Sequence, residues 1–242
     1  VPSGSFVQVS AGNYHNCALD SSGSVQCWGT DSYGISTPPS GSFVQVSVGE
    51  YHSCGIDSSG SVQCWGVDDD SSYDLGQVSD VPSGSFVQVS SGNYHSCGID
   101  IDGSIQCWGI DDNSLDEYGW PNNESDVGQV RNTPSGTFVG VSTGAELSCG
   151  YTASGGSVCW GYFYWSGVYE LPEEHFVQAS LNWSDGCGVD IHHNVHCSGE
   201  NSMQMPSGFK AWNGGFIDSD GDGVLLADDC DDQDDESTIL LE

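Results

Sequence analysis

Apolar and polar residues alternate over short stretches of this chain, and one such stretch recurs almost letter for letter. The clearest copies run from Phe6 to Trp28, from Phe43 to Trp65 and from Phe86 to Trp108. Each copy opens with an alternating segment, passes through a glycine-bearing link and ends in two further segments around a Ser-Ser-Gly or Asp-Gly turn. Alternation with a period of two is typical of half-buried strands, so each copy predicts one strand followed by a hairpin.

Looser copies extend the pattern. They run from Phe138 to Trp160 and from Phe176 to Cys197, and a sixth start at Phe209 stops before its hairpin. The predicted units lie near 1–38, 39–81, 82–133, 134–171 and 172–205, with a partial unit at 206–214. No segment shows sustained helical spacing, which predicts an all-β chain. Units of this size cannot bury both faces alone, so they must stack radially as a propeller or linearly as a solenoid.

The first unit reads V-x-x-G-x-x-H-x-C-A-L-D-x-x-G-x-V-x-C-W-G over positions 9–29. It resembles the repeats of the regulator-of-chromosome-condensation family, in the bacterial secreted form that carries paired cysteines. The resemblance covers about residues 1–214 and weakens in the fifth unit, where Asp185 replaces the histidine and Ser198 the tryptophan. It implies a β-propeller, usually of seven blades, whereas the repeats counted here predict about five to six. One first-type strand, at Phe209, is left over. Either this strand closes the ring, or the ring is incomplete and is finished by another chain or by further sequence.

Ten of the eleven cysteines form five pairs of identical spacing. The pairs are Cys17/Cys27, Cys54/Cys64, Cys97/Cys107, Cys149/Cys159 and Cys187/Cys197. Across a hairpin with a short turn, the two members of a pair face each other at a distance that a disulfide spans. We therefore predict a disulfide within every blade and an oxidising compartment. Buried thiols or zinc ligands are the alternatives, although the wide spacing lacks the short Cys-x-x-Cys of structural zinc sites.

The charge balance limits the class of partner. Only Arg131 and Lys210 oppose 35 acidic residues, which gives a net charge of −33. Such a surface repels phosphate backbones and anionic headgroups, so we expect no nucleic-acid partner. No stretch approaches the roughly 20 apolar residues of a membrane span, and we expect no membrane insertion. Because the chain starts at Val1, we expect a piece excised from a longer protein that works outside the cell or on its surface.

Residues 215–242 predict a second, acidic module. Oxygen ligands spaced as in a calcium loop are supplied by Asp218, Asp220, Asp222, the Val224 carbonyl, Asp229 and the neighbouring Asp231. Hard Ca²⁺ prefers six to eight such ligands. The flanking helices of an EF-hand are missing, and the segment instead resembles the aspartate-rich motifs of thrombospondin type 3 repeats. That resemblance implies Ca²⁺ as a cofactor. A disordered acidic tail is the alternative.

The C-terminal part also carries features that point to self-assembly. Cys230 has no partner among the repeats and is a candidate for an intermolecular disulfide. The apolar run Ile239–Leu241 follows the acidic module and could add to an exposed sheet edge of a second copy. The alternative is that this run packs on its own propeller or begins another domain.

Several side chains outside the repeat pattern are candidates for binding or modification. The fourth connector holds an aromatic cluster that is a candidate binding face for protein or glycan: Tyr162, Phe163, Tyr164, Trp165 and Tyr169. The alternative is that these rings fill the gap left by a shorter connector. Asn123 and Asn182 begin candidate glycosylation sequons. The recurring His15, His52 and His95 indicate packing between blades, whereas His192, His193 and His196 have a spacing that could bind a transition metal.

The sequence contains no recognisable catalytic motif, and we predict a protein that is not an enzyme. The favoured function is a recognition or adhesion propeller, stabilised by disulfides and calcium, that binds a protein or glycan outside the cell. The alternative is a structural subunit that joins head to tail into a filament or surface layer, with itself as partner. A propeller that inhibits an enzyme is a third hypothesis.

Overall fold

The computed structural model describes residues 2–69, 71, 73–111, 128–161, 176–181, 185–190 and 194–199. These residues form an all-β structure of five antiparallel sheets with three strands each. The strands are β1 (Phe6–Ala11), β2 (His15–Asp20), β3 (Val25–Gly29), β4 (Phe43–Val48), β5 (His52–Asp57), β6 (Val62–Gly66), β7 (Phe86–Ser91), β8 (His95–Asp100), β9 (Ile105–Gly109), β10 (Gly140–Thr143), β11 (Leu147–Tyr151), β12 (Ser157–Gly161), β13 (Phe176–Leu181), β14 (Asp185–Asp190) and β15 (Val195–Gly199). Each sheet is one blade, with an inner, a middle and an outer strand in chain order. The predicted strand and hairpin are thus confirmed.

The turn between the middle and outer strands is stabilised by its own side chains. In the first blade, Asp20 Oδ1 accepts hydrogen bonds from the main-chain N–H of Ser22 at 2.8 Å and of Ser24 at 3.1 Å. Gly23 has a φ of 87°, a left-handed conformation that glycine adopts without strain. These contacts fix the turn, and the turn fixes the register of the hairpin.

The disulfide prediction is confirmed in the first four blades. Cys17–Cys27, Cys54–Cys64, Cys97–Cys107 and Cys149–Cys159 are bonded, with Cα–Cα separations of 4.0–4.1 Å. In every case the two cysteines are directly opposite in the register of the hairpin. The fifth hairpin keeps this register, with Cys187 opposite Cys197, and Cys187 is disulfide-bonded.

The inner strands depart from simple alternation at one position. The pairing of β4 with β5 shifts register between Phe43 and Gln45, so a bulge interrupts the pleat. Phe43 and Val46 are buried, whereas Val44 is exposed. Strict alternation would place Phe43 and Val46 on opposite faces, and the bulge brings them to the same face. The same shift occurs in β1, β7 and β13.

The hydrophobic core lies between blades. At the second junction, Cys54 and Ile56 of one blade pack against Phe86, Val89 and Trp108 of the next. Equivalent clusters fill the first, third and fourth junctions. The outer-strand tryptophan is also anchored by a hydrogen bond, since Trp108 Nε1 donates to the main-chain oxygen of the preceding connector at 3.2 Å. Each disulfide of the first four blades therefore lies within the interface that joins its blade to the next.

The inner strands are joined side by side through their side chains. Gln8 Nε2 donates to the Val46 carbonyl at 2.9 Å, and the Val46 N–H donates to Gln8 Oε1 at 2.9 Å. Ser10 Oγ accepts from the N–H of Val48 at 3.0 Å. Gln45, Ser47, Gln88 and Ser90 repeat these contacts along the series β1, β4, β7, β10. The inner strands thus lie around one axis, as in a β-propeller.

The first and fifth blades each expose a surface whose equivalent is buried in the blades between them. Val9 is 66% exposed, whereas Val46, its equivalent in the second blade, is 1% exposed. At the other end of the series, Gln178 and Ser180 are exposed, although their equivalents bind the next inner strand. Among the described residues, therefore, nothing continues the blade packing at these two positions.

Candidate functional site

One face of the propeller gathers two kinds of loop. The turns between inner and middle strands lie there, and the connectors begin there because each outer strand ends opposite the start of a middle strand, as Gly29 does opposite His15. The first residues of the connectors are held in place, since Thr30 N donates to the Tyr14 carbonyl at 3.0 Å and Val67 N to the Tyr51 carbonyl at 3.0 Å. We call this the loop face. The hairpin turns lie on the opposite, turn face.

Glycines bring the blades close together at the centre of the loop face. An ideal Cβ on Gly12 would overlap the carbonyl oxygen of Gly49, one on Gly49 that of Gly92, and one on Gly92 that of Gly144. These turns line a small open cavity at the end of the inner strands. Asn13 and Asn93 contribute side chains to its wall. Around it, glycine lets one main chain lie directly against the next.

Buried histidines support these turns from below. His15 Nε2 is hydrogen-bonded to Ser53 Oγ of the next blade at 2.7 Å, and His52 and His95 make equivalent bonds of 2.7 Å to the blades that follow. Burial lowers the pKa of His52 and of His95 from 6.5 to about 3. The pKa of His15 falls to about 4, since the nearby Asp31 partly offsets the effect of burial. The predicted role of these histidines in blade packing is confirmed.

Five tyrosines form a continuous cluster above the histidines, and we call them the tyrosine cluster. They are Tyr14, Tyr33, Tyr51, Tyr73 and Tyr94. The ring of Tyr51 is central: its centroid lies 4.7 Å from Tyr73, 5.7 Å from Tyr94 and 5.7 Å from Tyr14.

The outer members of the cluster are open to solvent. Tyr14 is 48% exposed, Tyr33 47% and Tyr73 39%. Tyr33 joins the others through Tyr73, with 6.4 Å between the ring centroids. Several large, half-exposed rings in contact with one another make a surface suited to binding rather than to packing.

A buried carboxylate lies beneath these rings. Glu50 is 7% exposed, and its Oε2 accepts a hydrogen bond from Asn13 Nδ2 at 3.1 Å. The pKa of the Tyr51 hydroxyl lies above its usual range because of burial and because Tyr14 and Glu50 are beside it. Burial and the charge of Glu50 also raise the pKa of Tyr94. Glu50 therefore places a carboxylate beside the tyrosine cluster and contributes to the raised pKa of Tyr51 and of Tyr94.

The junction between the third and fourth blades lacks the carboxylate that lies between the first and second blades. Asn93 is the repeat equivalent of Asn13, but Ala145 stands where Glu50 stands in the second blade. Asn93 is 7% exposed, and its Nδ2 has no hydrogen-bond partner in the described part of the chain. Beside Ala145, Glu146 replaces the repeated tyrosine, and burial raises its pKa. Asn93 thus lines the central cavity with a donor that lacks an acceptor among the described residues and is itself shielded from solvent.

The tyrosine cluster, Asn93 and Glu50 are suited to binding by stacking, hydrogen bonding and charge, respectively. Among the described residues, no group of three or more histidines, cysteines, aspartates or glutamates is placed to hold a metal ion. The described part of the chain also contains no helix long and apolar enough to span a membrane.

Most site residues predicted from sequence lie outside the described residues. They are the calcium ligands Asp218, Asp220, Asp222, Val224, Asp229 and Asp231, the aromatic residues Tyr162, Phe163, Tyr164, Trp165 and Tyr169, the glycosylation candidates Asn123 and Asn182, the metal candidates His192 and His193, and Cys230. The side chain of His196 is likewise not described. These assignments stay predictions.

The tyrosine cluster was missed by sequence reasoning, although part of its signal is visible. Gly-x-Tyr-His recurs at 12–15, 49–52 and 92–95, and this repetition indicates packing by the histidine but gives no role to the tyrosine beside it. Tyr33 and Tyr73 come from connectors of different length, so no fixed spacing relates them to the motif. Only the fold brings these five rings together.

The family comparison supports the repeat assignment. The model of the regulator of chromosome condensation (RCC1) repeat matches residues 6–35, 43–73 and 86–115. The chain therefore carries RCC1-like repeats in its first three blades. No curated protein sequence matches the chain.

Solved structures share the fold. The CRINKLY WD40 ectodomain of the receptor kinase ACR4 from Arabidopsis thaliana is 27% identical, with a TM-score of 0.58 over 81% of this chain and 64% of that one. The ectodomain of the receptor kinase CR4 from Physcomitrella patens is 23% identical, with a TM-score of 0.61 over 84% and 53%. Prp20p from Saccharomyces cerevisiae is 16% identical, with a TM-score of 0.61 over 82% and 58%. The chain thus spans between about half and two thirds of these proteins' length.

Proposed function

We propose that this chain is a non-enzymatic recognition or adhesion module that binds a protein partner outside the cell through its loop face. The observation that carries the proposal is the tyrosine cluster, which joins three exposed rings to two partly buried ones on one face. Tyrosine is enriched at protein interfaces because its ring is large, rigid and amphipathic. Glycine contacts hold the turns of that face against each other, and disulfides restrain the strands that lead to it.

The extracellular setting has two supports. Disulfides persist in oxidising compartments, and every described hairpin contains a disulfide-bonded cysteine. The structure at 27% identity is the ectodomain of a receptor kinase, a part of a protein that faces the outside of the cell. Both supports favour a module on the cell surface or in the extracellular medium.

The test is binding to a panel of purified extracellular domains, with a glycan array in parallel. The variant Tyr14→Leu/Tyr73→Leu removes two exposed aromatic rings and keeps apolar side chains. Ile101→Ser is the matched control, because Ile101 is 70% exposed on the turn face. We expect a protein partner whose affinity falls at least tenfold in the tyrosine variant and is unchanged in the control. Binding to glycans alone, or a partner indifferent to both variants, would contradict the proposal.

A second candidate function is head-to-tail assembly, and the open surfaces at the two ends of the blade series favour it. Val9 is exposed where its equivalents are buried, and Gln178 and Ser180 are exposed where their equivalents bind an inner strand. A second copy could therefore continue the blade packing, with Cys230 as a covalent link. Light scattering with and without reductant measures the mass on which this alternative depends.

We further propose that the acidic module binds Ca²⁺ through Asp218, Asp220, Asp222, the Val224 carbonyl, Asp229 and Asp231. The support is the spacing of these oxygen ligands in the sequence. Calorimetric titration of the whole chain with CaCl₂ tests it against an Asp220→Asn/Asp222→Asn variant. We expect saturable binding that the variant loses, and equal heats in both proteins would contradict the site.

A further inference from the structure

We infer that the tyrosine cluster takes an arginine or lysine side chain of the protein partner, and that Asn93 donates a hydrogen bond to a main-chain carbonyl of the same segment. This inference rests on the proposed function and specifies the chemistry of the partner. Three observations support it: the exposed rings, the carboxylates beneath and beside them, and the unpaired amide.

The rings supply a surface for a cation. The faces of Tyr51 lie against Tyr73 and Tyr94, at centroid distances of 4.7 and 5.7 Å. The rings left open to a ligand are therefore the exposed Tyr14, Tyr33 and Tyr73. A guanidinium or ammonium group over a tyrosine face is attracted by the negative potential of the ring, and its methylene groups pack against the ring edge.

Charge favours a basic group over other ligands. Glu50 lies beside Tyr51 and Tyr94, and both pKa values respond to its charge. Glu146 takes the tyrosine position of the fourth blade, and the connectors of this face add Asp31, Asp68 and Asp69. The described basic residue, Arg131, is paired with Asp111 at 3.5 Å. A cationic side chain is thus attracted to this face, whereas a phosphorylated or acidic segment is repelled.

The amide of Asn93 adds a requirement that a cation alone does not meet. A buried donor without a partner costs free energy, and a ligand that brings an acceptor recovers it. Because Nδ2 of Asn93 is shielded from solvent, the amide must turn toward the ligand to make this bond. The chain itself shows the preferred contact, because Asn13 donates to Glu50 at the equivalent junction. A basic side chain only donates, so the acceptor must be another atom of the ligand. A peptide brings carbonyl oxygens next to its side chains, and Asn93 is the chain neighbour of Tyr94.

The experiment is calorimetric titration of the whole chain with a short acetylated peptide that contains two arginines among glycines and serines. The same peptide with citrulline keeps the shape and hydrogen bonds of arginine but not its charge. Tyr14→Leu/Tyr73→Leu removes the exposed rings. Glu50→Gln removes the carboxylate charge and keeps an oxygen for Asn13. Asp102→Asn is its matched control, since it removes one charge from an exposed residue on the turn face.

We expect the citrulline peptide to bind at least tenfold more weakly than the arginine peptide. The tyrosine variant should lose about fivefold or more in affinity for the arginine peptide, within the range measured for cation–π contacts. Glu50→Gln should lose affinity while Asp102→Asn does not. Asn93→Ala should weaken both peptides by the same factor, because it removes the carbonyl contact and leaves the charge contact.

Other outcomes would overturn the inference. Equal losses in Glu50→Gln and Asp102→Asn would mean that net charge alone attracts the peptide. Equal binding of the two peptides, or tighter binding of a neutral oligosaccharide that also depends on Tyr14 and Tyr73, would mean that the rings stack on an uncharged ligand. If peptides fail but a protein partner still requires Tyr14 and Tyr73, the ligand chemistry is wrong and the proposed function stands.

Discussion

Neighbouring blades approach closely at the axis because glycine carries a hydrogen atom where other residues carry Cβ. In Gly49→Ala, the new methyl group would overlap the Gly92 carbonyl and lie 2.9 Å from His52 Cε1. Main chain cannot move away without shifting a whole blade, so we expect a loss of about 1–3 kcal/mol in the free energy of unfolding. Urea denaturation measures it.

The matched control is Gly41→Ala. Its Cβ would meet only the Phe43 ring, at 3.4 Å, which is an ordinary contact. We expect a change within about 0.5 kcal/mol, as for most surface substitutions. If the two variants were equally stable, close contact of main chains at the axis would not constrain the fold.

The stability of the packing between blades depends on pH through the buried histidines. The folded pKa of His52 is about 3, below the 6.5 of the unfolded chain. Its contribution to stability is therefore fully present above pH 6.5 and is lost as the pH falls toward 3, because the unfolded state binds the additional proton.

Proton uptake measures this effect directly. At pH 5, calorimetric unfolding in buffers of different ionisation enthalpy should show about one proton less taken up by His52→Gln than by the native chain. At pH 8 the two proteins should take up the same number. Equal uptake at pH 5 would mean that His52 is protonated in the folded state, despite its bond of 2.7 Å to Ser96.

At the scale of the blade, the disulfide restrains a hairpin that also packs against the next blade. Removing it in Cys54→Ala/Cys64→Ala should cost about 2–3 kcal/mol by the loop-entropy model, for cysteines that are 10 positions apart. The buried Cys54 also packs against the next blade, so the loss of contacts adds to this cost. Guanidinium denaturation measures the change.

The equivalent pair tests whether the blades are energetically alike. Cys97→Ala/Cys107→Ala removes a bond with the same separation of 10 and the same position between blades. We expect a similar loss of stability. A change below about 0.5 kcal/mol in either variant would show that the interblade core and hydrogen bonds stabilise the blade without the disulfide.

Sequence predicted the blade well because its determinants are local. The cysteines face each other since the hairpin turn fixes their register, and this register can be counted from the chain. The bulge at Val44 could not be counted, because the shift depends on the packing of Phe43 and Val46 against the preceding blade. The tyrosine cluster was beyond reach for the same reason: Tyr33 and Tyr73 meet only when two connectors fold over one face.

At the scale of the whole molecule, the open surface of the first blade has a direct test in Val9 and Val46. Val46→Lys would bury a charge between two blades, and we expect it to unfold the chain or to cost more than about 3 kcal/mol. Val9→Lys places the same charge on a residue that is 66% exposed, and we expect a change within about 0.5 kcal/mol. Thermal unfolding compares the two. A large loss in Val9→Lys would show that another segment or another chain covers this blade.

The mass of the native chain separates recognition from assembly. A recognition module works as a single copy, so light scattering after size exclusion should give a monomer with Ca²⁺, with chelator and with chelator plus reductant. Particles that chelator dissolves would mean that the acidic module joins copies, and particles that only reductant dissolves would identify a disulfide link such as Cys230. Particles that persist in both but are absent in Val9→Lys would mean that the first blade packs against the fifth blade of a second copy. In that last case the exposed Gln178 and Ser180 would hold the incoming strand, as Gln8 and Ser10 hold β4.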